Sequence, residues 1–425
     1  MTSQLNRRRF LQGAVAATAT AGVQLLTTGP AQATGAAPGT TGQAPSVAYV
    51  GSYTDHVSGT GEGISVFRID AYSQSWRLIQ VVHATSDPSA PVGSGNPLPV
   101  NPSFLTLDHQ GHFLYAVHGD SHYVSSFAID QSTGELTLLN IVDTGRQNPV
   151  TVTVDPSGRF LVVANLDVPG TVVTLPIRSD GSLGSIAGDI GFPGTPGPHR
   201  TQQLGSQPHQ ATFDPTGRWL VVANRGLDRV FVLTMDSSTG ALAFNDPGWV
   251  QVREITGPRH IAFNPALPYA YSIDELRATV TTYQWDVGHG VLQPLQVLPS
   301  QPPTMTGDVR PAEITVDPSG RYVYASNRSG SGVIDPQSPQ DTIGIWRVDA
   351  ATGLLSPVDW ASTEGYVPRF FTLDSSGGRL FAANQVTNTI VPFSVIQDTG
   401  RLRRSGDVVS VQSPVCIVLR DSVPL

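Results

Sequence analysis

The chain has 425 residues, of which 39% are hydrophobic and 14% charged, and a formal charge of −8. That acidity argues against a nucleic-acid partner, because phosphate backbones are held by surplus basic side chains. All 25 basic residues are arginine, which excludes a Schiff-base or phosphate-loop lysine, and the single cysteine, Cys416, excludes an intrachain disulfide and a multi-cysteine zinc site.

The N-terminus reads Asn6-Arg7-Arg8-Arg9-Phe10-Leu11, followed by an apolar stretch from Gly13 to Leu26 and then Ala31-Gln32-Ala33. A basic start, a short apolar run and a small-x-small site make a cleavable signal over residues 1–33. The arginine pair before Phe-Leu resembles the twin-arginine export signal, so the mature protein is expected to be secreted or periplasmic. The competing reading is a membrane anchor, but the run is too short for a span and rich in Ala, Thr and Gly. No other segment is apolar enough to cross a membrane. Residues 34–45 are low-complexity and read as a flexible lead-in.

Residues 46–425 are built from copies of one phrase: a proline, a short apolar strand, a turn with Asp and Gly, a second apolar strand, and a small polar residue. The marker prolines are Pro102, Pro149, Pro208, Pro258, Pro311, Pro368 and Pro414, spaced 46 to 59 residues apart. Each complete copy continues with a third apolar run, such as Arg229–Asp236, then a Thr-Gly turn and a fourth strand. Four short strands per copy, seven times, predict an all-β, seven-bladed propeller with almost no helix. The last copy stops after its first strand, and its missing strands are at the other end, in Val47–Thr54 and Gly63–Asp70. Both termini should therefore close the last blade and remove the open edge. A pair of β-sandwiches is the rival fold, and it does not account for the split copy.

A repeat lets each position be compared with its six counterparts. After the marker proline stand Ser103, Val150, His209, Arg259, Ala312, Arg369 and Val415, of which three are large and polar. After the polar end of the second strand stand Tyr53, Gly119, Leu166, Arg225, Glu275, Arg328 and Gln385, with the charges in consecutive blades. Charges crowded into one channel mouth cost desolvation unless they meet each other or a ligand. The bland reading makes each arginine a solvated or ion-paired channel residue, Glu275 its partner and His209 a satisfied strand-end histidine. The concentration of all six in neighbouring blades is what that reading does not explain.

Pro208-His209-Gln210-Ala211, Asn224-Arg225-Gly226-Leu227-Asp228-Arg229, Gly257-Pro258-Arg259-His260, Asp274-Glu275-Leu276 and Ser326-Asn327-Arg328 resemble motifs of the lactonase family of seven-bladed propellers, which includes propeller-type 6-phosphogluconolactonases and carboxymuconate-lactonizing enzymes. The resemblance runs over residues 47–420. It implies an active site of His209, Arg259, Glu275 and Arg328, to which the repeat comparison adds Arg225 and Arg369 as substrate-binding residues. Two departures stand out. The family often has a histidine where this chain has Gln207, and its Asp-Leu-Gly is here Asn224-Arg225-Gly226, which adds a positive charge.

Lactone opening needs a water deprotonated and an oxyanion stabilised. A neutral His or ionised Glu can take the proton, and Arg presents permanently charged donors to an oxyanion, carboxylate or phosphate. Glu275 could instead orient an arginine. The same groups serve lactonization, so the direction stays open. No Gly-x-Ser-x-Gly elbow, His-Glu-x-x-His pair or EF-hand loop is present, and no cofactor or metal is expected. The expected partner is a small-molecule lactone or carboxylate, and the expected state is a monomer. The alternative is a non-catalytic secreted propeller that binds a small anion, a glycan or a protein.

Overall fold

In a computed structural model, residues 45–87, 98–305, 307–329 and 341–421 are described. The stretch read as an export signal and nearly all of the expected lead-in lie outside them. The described residues form only strands and turns, arranged as seven sheets. Among them no helix is long and apolar enough to cross a membrane.

Each sheet is an antiparallel blade in chain order. Blade 1 is Pro102–Leu107, Phe113–His118, Tyr123–Ile129 and Leu136–Asp143, and blades 2 to 6 repeat that pattern from Pro149, Pro208, Pro258, Val309 and Pro368. Blade 7 has the order Pro414–Asp421, Pro45–Ser52, Gly63–Ile69, Trp76–His83. The two terminal strands pair antiparallel, with Ala48 opposite Leu419 and Tyr49 opposite Val418, so closure by both termini holds. The innermost strand of blade 7 lies against those of blades 6 and 1, completing the ring. Blade 6 departs from four strands: its third strand, Thr389–Val395, carries two short outer pieces, Leu402–Arg404 and Val409–Ser410.

Seven apolar clusters hold the described blades together, one at each junction. Blade 4 meets blade 5, for example, through Tyr271, Ile273, Val323 and Trp346, all fully buried. The second strands are buried on both faces because they lie between neighbouring blades. That is why Phe160–Asn165 reads as a continuous apolar run instead of an alternating one. Burying each large apolar side chain of this kind contributes roughly 1.5–3 kcal/mol.

The repeated polar residues have structural work. Turn acids accept the backbone N–H groups that follow them: Asp155 Oδ1 takes Arg159 N and Phe160 N, both at 2.7 Å. The small polar residue ending the second strand is buried and anchors the loop arriving from the preceding blade. Asn327 Nδ2 donates to Ser300 O at 2.8 Å and Asn384 Nδ2 to Thr363 O at 2.9 Å. Second-strand tyrosines stitch one blade to the next: Tyr271 Oη donates to Gly353 O at 3.0 Å, and Tyr324 Oη to Gly400 O at 2.8 Å. Gly353 sits at φ +69°, a left-handed conformation that favours glycine at this turn.

Candidate functional site

One backbone irregularity builds the site. In blade 3, Pro208 pairs with Asn224 and Gln210 with Ala223, leaving His209 bulged out of the ladder. The same shift frees Ser103, Val150, Arg259, Arg369 and Val415, and in blade 5 it falls at Ala312 and Glu313. A β-bulge breaks the in–out alternation of a strand and re-aims one side chain. Here it turns the residue after each marker proline toward the axis. Six of those seven residues line one pocket, together with Tyr53, Phe104, His260, Glu313 and Phe370.

His209 is 4% exposed, and its Nδ1 is buried without a hydrogen-bond partner. Burial holds its pKa well below 6.5, and the charges of Arg259, Arg225 and Arg369 press the same way. His209 is therefore a neutral imidazole with a free ring nitrogen. Arg259 is 3% exposed, and burial lowers its pKa to about 9. Its Nη1 donates to Ala312 O and to His260 Nε2, while its Nε is buried without a hydrogen-bond partner. Arg369 is half-buried and lies over the Tyr53 ring, 4.9 Å from its centroid.

The second set converges on Glu275. Arg225 Nη1 lies 3.1 Å from its Oε2, Arg328 Nη2 2.7 Å from its Oε1, and Arg259 Nε 3.9 Å from its Oε2. Burial works to raise the Glu275 pKa, but the three guanidinium groups reverse it and hold the carboxyl well below the usual carboxylate range. A carboxylate so stabilised is a weak base. Of the two roles open to Glu275 in the sequence, the geometry favours holding arginines over taking a proton. The extra arginine of the Asn224-Arg225-Gly226 departure is used here, as a ligand of Glu275.

All six candidate residues thus gather at one mouth. The segment Gly184–Ser206, rich in Gly and Pro, and the segment Ser329–Asp341 read from the sequence as insertions bordering the mouth; the first is not wholly one, because Gly188–Gly191 forms the outer strand of blade 2. Its remainder does border the site: Gln203 Nε2 donates to Arg225 O at 2.9 Å, and Gly197 N to Gly226 O at 2.9 Å. Most of Ser329–Asp341, expected at the same rim, lies outside the described residues. Four pocket residues stand at a position the sequence comparison did not cover: Phe104, Phe370, His260 and Glu313. The last two would have surfaced had the position two after the marker proline been compared, since it reads Phe104, Thr151, Gln210, His260, Glu313, Phe370 and Cys416.

Four guanidinium groups against Glu275 and Glu313 make this mouth electropositive within an acidic protein, and two of them keep a buried N–H without a hydrogen-bond partner, on Arg225 Nε and Arg259 Nε. Such donors suit an anion or an oxyanion. Among the described residues no group of three or more His, Cys, Asp or Glu could hold a metal ion.

Residues 47–419 match the model of the family described as lactonase, 7-bladed beta-propeller. The chain is 31% identical over 377 residues to the 6-phosphogluconolactonase of Bacillus subtilis, covering 87% of this chain and 97% of that protein. It is 29% identical over 365 residues to the 6-phosphogluconolactonase of Formosa agariphila, covering 84% and 94%. Among solved structures, the periplasmic gluconolactonase PpgL of Pseudomonas aeruginosa superposes with a TM-score of 0.76 at 26% identity, over 89% of this chain and 99% of that one.

Proposed function

Because the chain belongs to the seven-bladed β-propeller lactonase family, we propose that it is an exported enzyme that opens a small anionic lactone at this mouth. The observation that carries the reading is a neutral histidine with a free ring nitrogen, His209, beside arginines whose buried N–H groups have no hydrogen-bond partner. A pure scaffold has no need of either.

In the proposed reaction His209 Nδ1 accepts a proton from water as the oxygen attacks the lactone carbonyl. The tetrahedral oxyanion forms against Arg259, whose guanidinium is in place before the charge develops. Collapse breaks the ring C–O bond, and His209 returns the proton to the leaving oxygen. One water is consumed and a hydroxy acid is formed. General-base help of this kind contributes ~10²–10⁴-fold. Glu275 keeps Arg225, Arg259 and Arg328 converged, and Arg369, half-buried and outside that ion-pair centre, meets the substrate's anionic group. The Arg7-Arg8-Arg9-Phe10-Leu11 start supports export. Sugar phosphates are cytosolic, so the proposed anionic group is a carboxylate.

The test is a panel of γ- and δ-lactones, with and without a carboxylate or phosphate, against the purified mature protein and His209→Ala. Turnover of an anionic lactone that is lost in His209→Ala supports the reading. Anion binding without turnover of any lactone would leave the non-catalytic binding propeller.

A further inference from the structure

His260 lies one residue past the bulge position of blade 4 and Glu313 within the bulge of blade 5, and both line the pocket. Both ring nitrogens of His260 are engaged. Nδ1 is 3.0 Å from Glu313 Oε1, and Nε2 is 3.2 Å from Arg259 Nη1. A guanidinium has no lone pair to offer, so Nε2 must be the acceptor in that contact. The proton then resides on Nδ1, where Glu313 accepts it. The tautomer follows from the donor chemistry of the two neighbours.

Glu313 is itself fixed from two sides. Its Oε1 also accepts Ile314 N at 3.0 Å, and its own N–H donates to Ser326 Oγ at 3.0 Å. Arg259 Nη1 has two hydrogens, and Ala312 O and His260 Nε2 take them. Holding Nη1 from behind fixes the guanidinium plane and leaves the Nε–H, which has no hydrogen-bond partner and faces Glu275 Oε2 at 3.9 Å, as the donor for a ligand. Around the relay, Phe104 stacks edge-on against His260 at 6.1 Å and against Phe370 at 5.7 Å. These rings screen the hydrogen bonds from water, which strengthens them.

We infer that Glu313 and His260 form a positioning relay for Arg259: Glu313 fixes the His260 tautomer, and His260 Nε2 together with Ala312 O sets the guanidinium plane presented to the substrate. This rests on the reading of Arg259 as a substrate-facing residue. The proposed role is one of orientation, with the proton remaining on Nδ1 throughout.

The first measurement needs no substrate. With ¹⁵N-histidine labelling, and the His260 signals assigned by their loss in His260→Asn, wild-type His260 should show a protonated Nδ1 and an unprotonated Nε2 near neutral pH. An Nε2–H tautomer in the wild type overturns the relay. The second is kinetic, on whichever lactone the panel identifies. Glu313→Leu and His260→Asn should each lower kcat/KM on the order of 10- to 100-fold, the range expected for losing a hydrogen bond to a charged group. Glu313→Gln keeps an acceptor for Nδ1–H and should recover most of that loss. In an Arg259→Ala background neither Glu313→Leu nor His260→Asn should lower activity further. Additive losses in that background, or no recovery in Glu313→Gln, overturn the relay. A wild type that turns over no lactone rejects the proposed function, while the tautomer measurement still decides the relay.

Discussion

Glu275→Gln removes one negative charge from the centre of three guanidinium groups and keeps the side-chain shape. The wild-type carboxylate makes contacts of 2.7 Å with Arg328 and 3.1 Å with Arg225, with Arg259 at 3.9 Å. At an effective dielectric of about 20, a unit pair some 3 Å apart is worth roughly 5–6 kcal/mol before desolvation is counted. Desolvation cancels part of this, and losing one partner of a buried ion pair costs about 3–5 kcal/mol in net stability. We therefore expect Glu275→Gln to unfold at clearly lower urea, with an unchanged m value. The liberated arginines should also gather anions, so inorganic phosphate should raise the variant's midpoint more than the wild type's. The pH dependence has a definite sign. The folded pKa of Glu275 lies below its ordinary 4.5, so its stabilisation is complete above about 4.5 and is lost as the pH falls below that. The gap between the two proteins should accordingly shrink on acidification. Equal urea midpoints at pH 7, with equal responses to phosphate, would mean that this ion-pair centre has no energetic weight, and the argument for it would be wrong.

Arg259→Ala should lower kcat by ~10²–10³-fold, the usual loss for one oxyanion donor, whereas Arg369→Ala should act mainly on KM; the reverse pattern exchanges their roles. Because His209 is held neutral well below 6.5, kcat/KM should not fall as the pH drops through 6.5, and an acidic limb centred there would remove His209 as the proton acceptor. Deleting residues 415–425 should cause aggregation, seen by light scattering, because blade 7 would lose its inner strand and expose the edge at Pro45–Ser52; a soluble, cooperatively folding product would contradict the closure argument. Gly226→Ala should raise KM and lower the melting temperature, since a Cβ there would collide with Gly205 O and push the 192–206 segment off the mouth; unchanged values would show that segment to be uninvolved.

Much of this molecule was legible because it is a repeat. Seven prolines at near-even spacing, turn acids and buried strand-end asparagines each perform the same task in several blades, so the pattern survives any single irregularity. The split last copy already implied that the termini pair. Comparing blades also picked out His209, Arg259 and Arg369 at one position and Arg225, Glu275 and Arg328 at another, without any structure. Such a comparison finds residues that break a rule. It finds them only at the positions compared, which is why His260 and Glu313 were passed over.

What the sequence determined, then, was the architecture and the identity of the unusual residues, since strand, turn and repeat signals are local. It could not supply direction. Along an ideal strand, residues one apart point to opposite faces, so His209 and Gln210, or Arg259 and His260, would be assigned to different surfaces. The bulge after each marker proline breaks that alternation, and it is visible only as a slip in pairing between two strands. Nor could the sequence choose between a basic and a structural Glu275. That choice rests on three arginines from three blades arriving within 4 Å of one carboxylate, two of them about fifty residues from it in the chain and joined to it only when adjacent blades pack side by side.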